Sequence, residues 1–451
     1  MAEPVHPAAS ERHWLLPALS WVARAAVHVF YRFRAGGERS PLEGPVLFVA
    51  NHPNSLVDPA FVAAAAGRPV RFLAKAPLFT DRLVGWLIRA SGAIPVYRRQ
   101  DDPALVDRNV STFAAVHEAL ADGDAVGIFP EGISHNRPGL AELRTGAARI
   151  ALGSVGRVGE TFPIVPIGMV LRDKGRFRSE ASAIVGSPID WGDLAGRSEE
   201  DTEAVRALTG RIGAALRDVT VNLESWDDLE TVECAEALYA AELDLARSPE
   251  ERVRRLREVS DTLAHYRRED PERIDSLYRA VQRFQRSLET LGLDADALDQ
   301  VPDAGTAIGW FVRRLGLFLV GGPLAAAGAI LFFVPYRATG WIAVQPGLDP
   351  DVRSTWKILA GTVCYLAWVL LLATIAGLWL GPAAFVVFLV GLPLIALATA
   401  GVRDSWVDAR LDVRRYRALL SDGEELARLR EHRRVLAESL ELMRTTARPG
   451  M

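Results

Sequence analysis

The chain has 451 residues, enough for two or three domains, each with its own core. Its 52 Lys and Arg against 56 Asp and Glu give a formal charge of −4, which excludes a protein that binds nucleic acid over its whole surface. A mean hydropathy of +0.11 beside 24% charged residues points to polar domains joined to membrane segments; the two cysteines, Cys234 and Cys364, lie far apart and fit neither a disulfide framework nor a metal site.

The first twelve residues hold Glu3, Glu11 and Arg12, with no basic cluster and no cleavage site of small residues. No secretory leader is read there, and the soluble parts are expected in the cytoplasm. In residues 13–34, Ser20, Arg24, His28 and Arg32 recur every fourth residue, while Trp14, Leu15, Leu19, Trp21, Val22, Ala26, Val29 and Phe33 lie mostly off that stripe. The pattern predicts an amphipathic helix lying in a membrane interface, within an N-terminal segment of residues 1–43; a surface helix packed on the next domain has the same pattern.

Residues 44–190 alternate short apolar runs with helical spacing. The runs Val46–Ala50, Val70–Ala74, Ala93–Val96, Ala125–Phe129, Ile164–Val170 and Ala183–Val185 read as buried strands, and residues 79–91, 104–121 and 144–154 as helices. This alternation predicts an α/β sandwich around a buried sheet. Residues 199–300 are polar, acidic and helical, punctuated by Pro249 and Pro271. Leu315–Tyr336 and Ile358–Gly401 carry no charge, and Gly381-Pro382 divides the second run into two lengths that each suit a bilayer. Trp310, Trp341, Trp356 and Trp379 lie near the ends of these runs, where aromatic belts form. The expected organisation is a catalytic domain at 44–222, a helical region at 223–310, a membrane region of two or three segments at 311–402 and a charged helical tail at 403–451. Three full spans would put that tail across the membrane from the domain. Gly321-Gly322-Pro323 offers a bend that makes the first segment re-entrant, so that Arg313, Arg314, Arg337, Arg353, Lys357 and Arg403 all face the cytoplasm with the tail; that second arrangement is the expectation.

Two short motifs carry chemistry. Asn51-His52-Pro53-Asn54-Ser55-Leu56-Val57-Asp58 follows one buried strand and precedes a helix, and Phe129-Pro130-Glu131-Gly132-Ile133-Ser134-His135 follows another. Strand ends are where open α/β sheets place their sites. A neutral imidazole can take the proton of an alcohol that attacks a thioester, and Asp58 is the natural group to orient it. A helix-capping His52 beside a surface Asp58 is the plain alternative, as loop bracing is for Glu131. Arg68, Arg71, Lys75, Arg82, Arg89, Arg98 and Arg99 surround a single acid, Asp81, and such an excess in an acidic protein predicts contact with phosphate or an anionic lipid surface.

Over about residues 44–190 these residues resemble the glycerolipid acyltransferases, which acylate glycerol-3-phosphate and lysophosphatidate from acyl-CoA or acyl carrier protein. Asn51-His52…Asp58, Gly92…Arg98, Phe129-Pro130-Glu131-Gly132 and Ile164-Val165-Pro166-Ile167 look like the family's four motifs in order, and Phe72-Leu73-Ala74-Lys75 and Arg144-Thr145-Gly146-Ala147-Ala148 are also similar. Two departures stand out. Five residues separate His52 from Asp58 where four are usual, and Ile133-Ser134-His135 replaces Thr-Arg-Ser. Both look like the branch of the fungal glycerol-3-phosphate/dihydroxyacetone-phosphate acyltransferases.

The resemblance implies an acyltransferase-type mixed sheet sandwiched by helices, followed by C-terminal membrane helices. It implies His52 as general base with Asp58 as its partner. It implies a phosphorylated-acceptor site of Arg98, Glu131 and Gly132, with Ser134 where the family has arginine and with Lys75 or Arg137 supplying the missing charge. The expected activity is transfer of a fatty acyl group from acyl-CoA or acyl carrier protein to glycerol-3-phosphate or dihydroxyacetone phosphate at a lipid bilayer, in phospholipid synthesis. No metal, no cofactor beyond the acyl donor and no nucleic-acid partner are expected. A lysophosphatidate or other lysophospholipid acyltransferase is the nearest alternative, and a catalytically silent lipid-binding scaffold is the alternative of another class.

Overall fold

A computed structural model describes residues 15–82, 84–98, 109–246, 248–299, 304–343, 350–421 and 423–447. Arg99, residues 13–14 of the expected first helix and residues 104–108 of the expected third lie outside them. Contacts divide the chain into two compact units, one of residues 1–222 with 248–254 and 349–355, the other of residues 223–247, 255–348 and 356–451.

In chain order the first unit contains α1 (Leu16–Phe30), β1 (Arg32–Gly37), β2 (Val46–Ala50), α2 (Asp58–Ala66), β3 (Arg71–Lys75), α3 (Pro77–Thr80), α4 (Gly85–Ala90) and β4 (Ile94–Val96). Then come α5 (Asn109–Ala121), β5 (Ala125–Ile128), α6 (Gly146–Val158), β6 (Ile164–Leu171), β7 (Glu180–Val185) and α7 (Thr202–Val219). The seven strands form one mixed sheet in the order β1-β7-β6-β2-β5-β3-β4. From β6 across to β4 all neighbours are parallel; β7 runs antiparallel to β6, and β1 parallel to β7. Every residue of β2 and β5 is buried. That is why both strands read as unbroken apolar runs rather than alternating ones: parallel strands are covered on both faces. Leu47, Val49, Val126 and Ile164 pack with Val116 and Leu120 of α5, Ile150 of α6 and Leu208 and Ile212 of α7. On α2, Phe61 packs its ring against Tyr31 and Phe33.

The N-terminal segment departs from expectation. The helix ends at Phe30, and Arg32-Phe33-Arg34-Ala35 continues as an edge strand paired with β7. Arg178 closes the helix by donating from Nη1 to the carbonyls of His28 and Val29 at 2.8 and 3.3 Å, a cation at the negative end of the helix dipole. The polar stripe does not mark the outward face. Ser20 is buried, whereas Trp21, Val22 and Val29 are exposed.

The second unit contains α8 (Leu229–Glu242), most of α9 (Pro249–Glu269), α10 (Pro271–Leu291), α11 (Ala304–Leu331), α12 (Phe333–Ala343), most of α13 (Pro350–Leu380), α14 (Pro382–Ser421) and α15 (Gly423–Ala447). Pro249 and Pro271 each open a helix, where a missing N–H costs nothing. The helices α8, α9 and α15 are joined by buried arginines. Arg255 donates to Glu236 at 2.7 Å, and buried Arg433 on α15 is held by Glu242 at 2.9 Å, Asp299 at 2.7 Å and the Ala295 carbonyl at 2.8 Å.

Among the described residues three helical stretches are long and apolar enough to cross a membrane: Ile308–Leu331, Thr355–Leu380 and Pro382–Leu420. The turn at Gly381-Pro382 is present, with Gly381 at φ +96°, open only to glycine without strain. The chain does not turn back at Gly321-Gly322-Pro323 as expected, and α11 continues as helix through Pro323. Gly321 serves close packing instead, as does Gly328 further on. A Cβ on Gly321 would meet Val402 Cγ2 at 2.9 Å, and one on Gly328 would collide with Thr399, so both glycines let α11 and α14 approach closely.

The corner lies further on. Leu331 would accept a helical hydrogen bond from residue 335, but Pro335 has no N–H. The freed carbonyl takes the indole N–H of Trp368 at 3.0 Å. Beyond it, Phe332 stacks on Tyr365 while Thr339 lies beside Gly361, so α12 leads obliquely back toward the start of α13. Phe332 packs with Val369 and Leu392, each about a dozen residues from Gly381; the corner therefore stops about 17 Å short of that turn. On α11 and α14, Trp310 donates to Asp412 at 3.1 Å and Arg314 to the Ser405 carbonyl at 3.3 Å, so the charged half of α14 lies level with the beginning of α11.

Candidate active site

The loop after β2 is fixed residue by residue. Asn51 extends the ladder with its side chain, donating to the Met169 carbonyl at 3.0 Å and accepting from the Met169 N–H at 2.7 Å. His52 follows, with its Nδ1 2.8 Å from Asp58 Oδ2. The same oxygen accepts the Asn54 N–H at 2.7 Å. Asn54 is buried and donates to the Tyr31 hydroxyl at 3.1 Å, which in turn donates to the Lys174 carbonyl at 2.6 Å. Asp58 opens α2, where the helix dipole favours an anion. The extra residue between His52 and Asp58 is absorbed by Ser55 at φ +54° and a short turn over Ser55–Val57. A non-glycine residue in that left-handed region costs about 1–2 kcal/mol.

Asp58 is fully buried, and its Oδ1 has no hydrogen-bond partner among the described residues. Burial pushes its carboxyl above the ordinary aspartate value, against the opposing pull of His52. With Nδ1–H donating to Asp58, Nε2 is the basic nitrogen. The His52 side chain is 18% exposed, whereas that of Asp58 is wholly buried. The ring lies flat on Phe129, with centroids 4.1 Å apart and an 8° tilt, and Phe72 stacks behind Phe129 at 5.8 Å. Gly127 makes this possible, because a Cβ there would sit inside the Phe72 ring. Sequence reasoning missed this support; its signal was a lone glycine within an otherwise apolar strand, a mark of close approach.

The loop after β5, the neighbour of β2, is tied to the histidine loop at three points. His52 N–H donates to Glu131 Oε1 at 2.7 Å, His135 N–H to the His52 carbonyl at 3.2 Å, and Ser55 N–H to Ser134 Oγ at 3.0 Å. Glu131 is buried; its Oε2 accepts the Ala141 N–H at 2.7 Å and the His135 Nε2–H. With both oxygens engaged, Glu131 braces the two loops against each other. Gly132 has φ +71°, and its carbonyl accepts from Arg98 Nη1 at 2.8 Å.

The arginine cluster separates. Arg98 follows β4 and exposed Lys75 ends β3, so both lie at the carboxyl edge of the sheet with His52. Arg68 and Arg71 lie at the opposite edge. Arg68 donates to the carbonyls of Gly44 at 2.9 Å and Gly123 at 3.1 Å, and Arg71 pairs with Asp124 at 3.0 Å and donates to the Gly92 carbonyl. Arg89 is turned to the Phe79 carbonyl. Arg137 is exposed on the Glu131 loop.

This geometry can hold a base, deliver it to a hydroxyl and present cations to an anionic group on the same edge. The sequence model of the family described as Acyltransferase matches residues 32–170, beginning where β1 begins. Glycerol-3-phosphate O-acyltransferase 2 of Saccharomyces cerevisiae is 31% identical over 56% of this chain and 36% of its own length, and glycerol-3-phosphate O-acyltransferase 1 of the same yeast 28% over 60% and 38%. The chain thus spans little more than a third of the length of these two relatives. The 1-acyl-sn-glycerol-3-phosphate acyltransferase of Streptococcus pneumoniae is 28% identical over 33% of this chain and 52% of its own length. Four motifs in order, a mixed sheet that brings three of them to one edge and a match that runs across that sheet's parallel part lead to one conclusion: residues 32–170 of this chain are similar to the domain that the Acyltransferase model describes.

Proposed function

We propose that the chain is an O-acyltransferase that moves a fatty acyl group from acyl-CoA or acyl carrier protein to glycerol-3-phosphate or dihydroxyacetone phosphate. The observation that carries this reading is the His52–Asp58 pair, 2.8 Å apart with the imidazole partly exposed, at the sheet edge that also carries Arg98 and Lys75. His52 Nε2 removes the acceptor hydroxyl's proton as the oxygen attacks the thioester carbonyl. The C–O bond forms and the C–S bond breaks, and the imidazolium returns the proton to the departing thiolate. Asp58 keeps the proton on Nδ1 and stabilises the imidazolium. Purified protein in detergent, given labelled acyl-CoA, is expected to acylate glycerol-3-phosphate or dihydroxyacetone phosphate. Transfer to lysophosphatidate alone would replace the acceptor assignment, and absence of transfer from either kind of donor would support a silent lipid-binding scaffold.

Arg98 is proposed to hold the acceptor phosphate. A charge-assisted hydrogen bond is worth about 1.5–3 kcal/mol, so Arg98→Ala is expected to raise KM for the phosphorylated acceptor by roughly 10- to 150-fold with little change in KM for acyl-CoA. Equal damage to both constants would reduce Arg98 to a brace for the Gly132 carbonyl.

The enzyme is proposed to be membrane-bound, its catalytic domain and its C-terminal tail both on the cytoplasmic side. Supporting this, α15 is ion-paired to Glu242 and Asp299, which precede the apolar helices, so the two ends of the membrane region meet. On this reading α11 and α12 form a re-entrant hairpin with its corner at Phe332, and α13 and α14 cross. Arg313, Arg337, Lys357 and Arg403 then lie on the positive side. In a variant with Cys234 and Cys364 replaced by serine, Thr446→Cys is expected to resist a membrane-impermeant thiol reagent in intact spheroplasts and to react after lysis. Labelling before lysis would establish an odd number of crossings.

A further inference from the structure

The notable departure in the Glu131 loop is Ser134, which stands where the acyltransferase resemblance predicts an arginine. A substrate contact was the sequence expectation for it. Its surroundings describe another task. Ser134 Oγ accepts the Ser55 N–H at 3.0 Å, and Ser55 is the residue whose left-handed backbone takes up the fifth position between His52 and Asp58. On either side of this bond the two loops are held by backbone groups of His52 itself, its N–H on Glu131 and its carbonyl on His135. Both departures, the longer interval and the lost arginine, therefore meet at one hydrogen bond.

We propose that Ser134 is a positioning residue for the base: its hydroxyl holds Ser55 in the conformation that brings Asp58 to His52 Nδ1. This rests on the reading of His52 as general base. An L-residue at positive φ drifts toward the ordinary regions unless its surroundings fix it. The bond to Ser134 fixes the peptide plane on which Ser55 turns, and its positive φ then carries the chain on to Asp58, so loosening that plane frees the turn. Releasing Ser55 would let the turn relax, lengthen the His52–Asp58 contact and lower the population of imidazole with its proton on Nδ1. The effect belongs in kcat, because the acceptor phosphate is not involved.

The test is a double-mutant cycle with glycine at position 55, since glycine adopts positive φ without strain. Ser134→Ala is expected to lower kcat about three- to ten-fold, the worth of one net hydrogen bond, with KM for the acceptor nearly unchanged. Ser134→Thr, which keeps the hydroxyl, should retain most of kcat. In the Ser55→Gly background the Ser134→Ala change should cost less than about two-fold, because the glycine no longer needs holding. The acid limb of the kcat–pH profile should move in Ser134→Ala and return in the double variant. A rise in acceptor KM on Ser134→Ala that Ser55→Gly does not relieve would overturn the proposal in favour of a substrate contact. A parallel loss in both backgrounds with falling thermal stability would overturn it in favour of a general structural role. The His52→Ala variant reports separately on the base: if it turned over normally, the reading of His52 would fail whatever the cycle showed.

Discussion

Replacing His52 with alanine is expected to lower kcat by about 10²–10⁴, the range over which a positioned general base acts. The fold should survive, because the side chain is partly exposed and the loop is held by the backbone N–H and carbonyl of residue 52, which alanine keeps. The loss should be visible as a fall in kcat with thermal unfolding unchanged. KM for the acyl donor should move little, since the imidazole works on the acceptor hydroxyl. Wild-type turnover in the variant would remove His52 from the mechanism.

The second large effect is expected from Asp58→Asn, and its interest lies in opposite outcomes for activity and stability. The amide oxygen can still accept the Asn54 N–H and the His52 Nδ1–H, so the geometry is kept. The negative charge that stabilises the imidazolium is lost, and kcat is expected to fall by about 10²–10⁴. Stability should not fall with it. Burial raises the Asp58 carboxyl above its unfolded value, so the folded chain holds that proton more tightly than the unfolded one. Stability contributed by this group is therefore present at low pH and declines as pH rises from the ordinary aspartate value through the raised one. Above that window the ionised carboxylate is a cost that asparagine does not carry. At neutral pH the variant is expected to unfold at the same temperature as the wild type or higher, by differential scanning calorimetry. A marked drop would show that His52 more than offsets the burial of the charge.

Much of the sheet was legible because its strands are covered on both faces: Val46–Ala50 and Ala125–Ile128 are apolar throughout and stand out against polar neighbours. The edge strand β1 was not, because Arg32-Phe33-Arg34-Ala35 follows a helix with no glycine or proline between and has only one covered neighbour. The His52–Asp58 pair was legible from motif spacing, and the backbone solution to the extra residue was not, since nothing in Asn54-Ser55-Leu56 announces a positive φ. The arginine cluster misled for a geometric reason. Arg71 and Lys75 are close in sequence, yet they occupy opposite ends of a strand that advances about 3.3 Å per residue, so one belongs to each edge of the sheet. In the apolar helices, Gly321-Gly322-Pro323 looks like a stronger break than Val334-Pro335. A proline alone leaves a helix intact where packing holds it, and the corner forms where an indole on another helix can take up the orphaned carbonyl.

The ion pairs of Arg433 have a consequence for biosynthesis. Glu242 and Asp299 emerge from the ribosome well before their partner, which follows only after all of the apolar helices have been made. Until then the acids face an empty place in the bundle, and α8 lacks the helix that covers it. The bundle can therefore close only on a chain whose apolar helices have all been made. Its late closure distinguishes a finished chain from one arrested in translation, whose α8 still lacks the cover of α15.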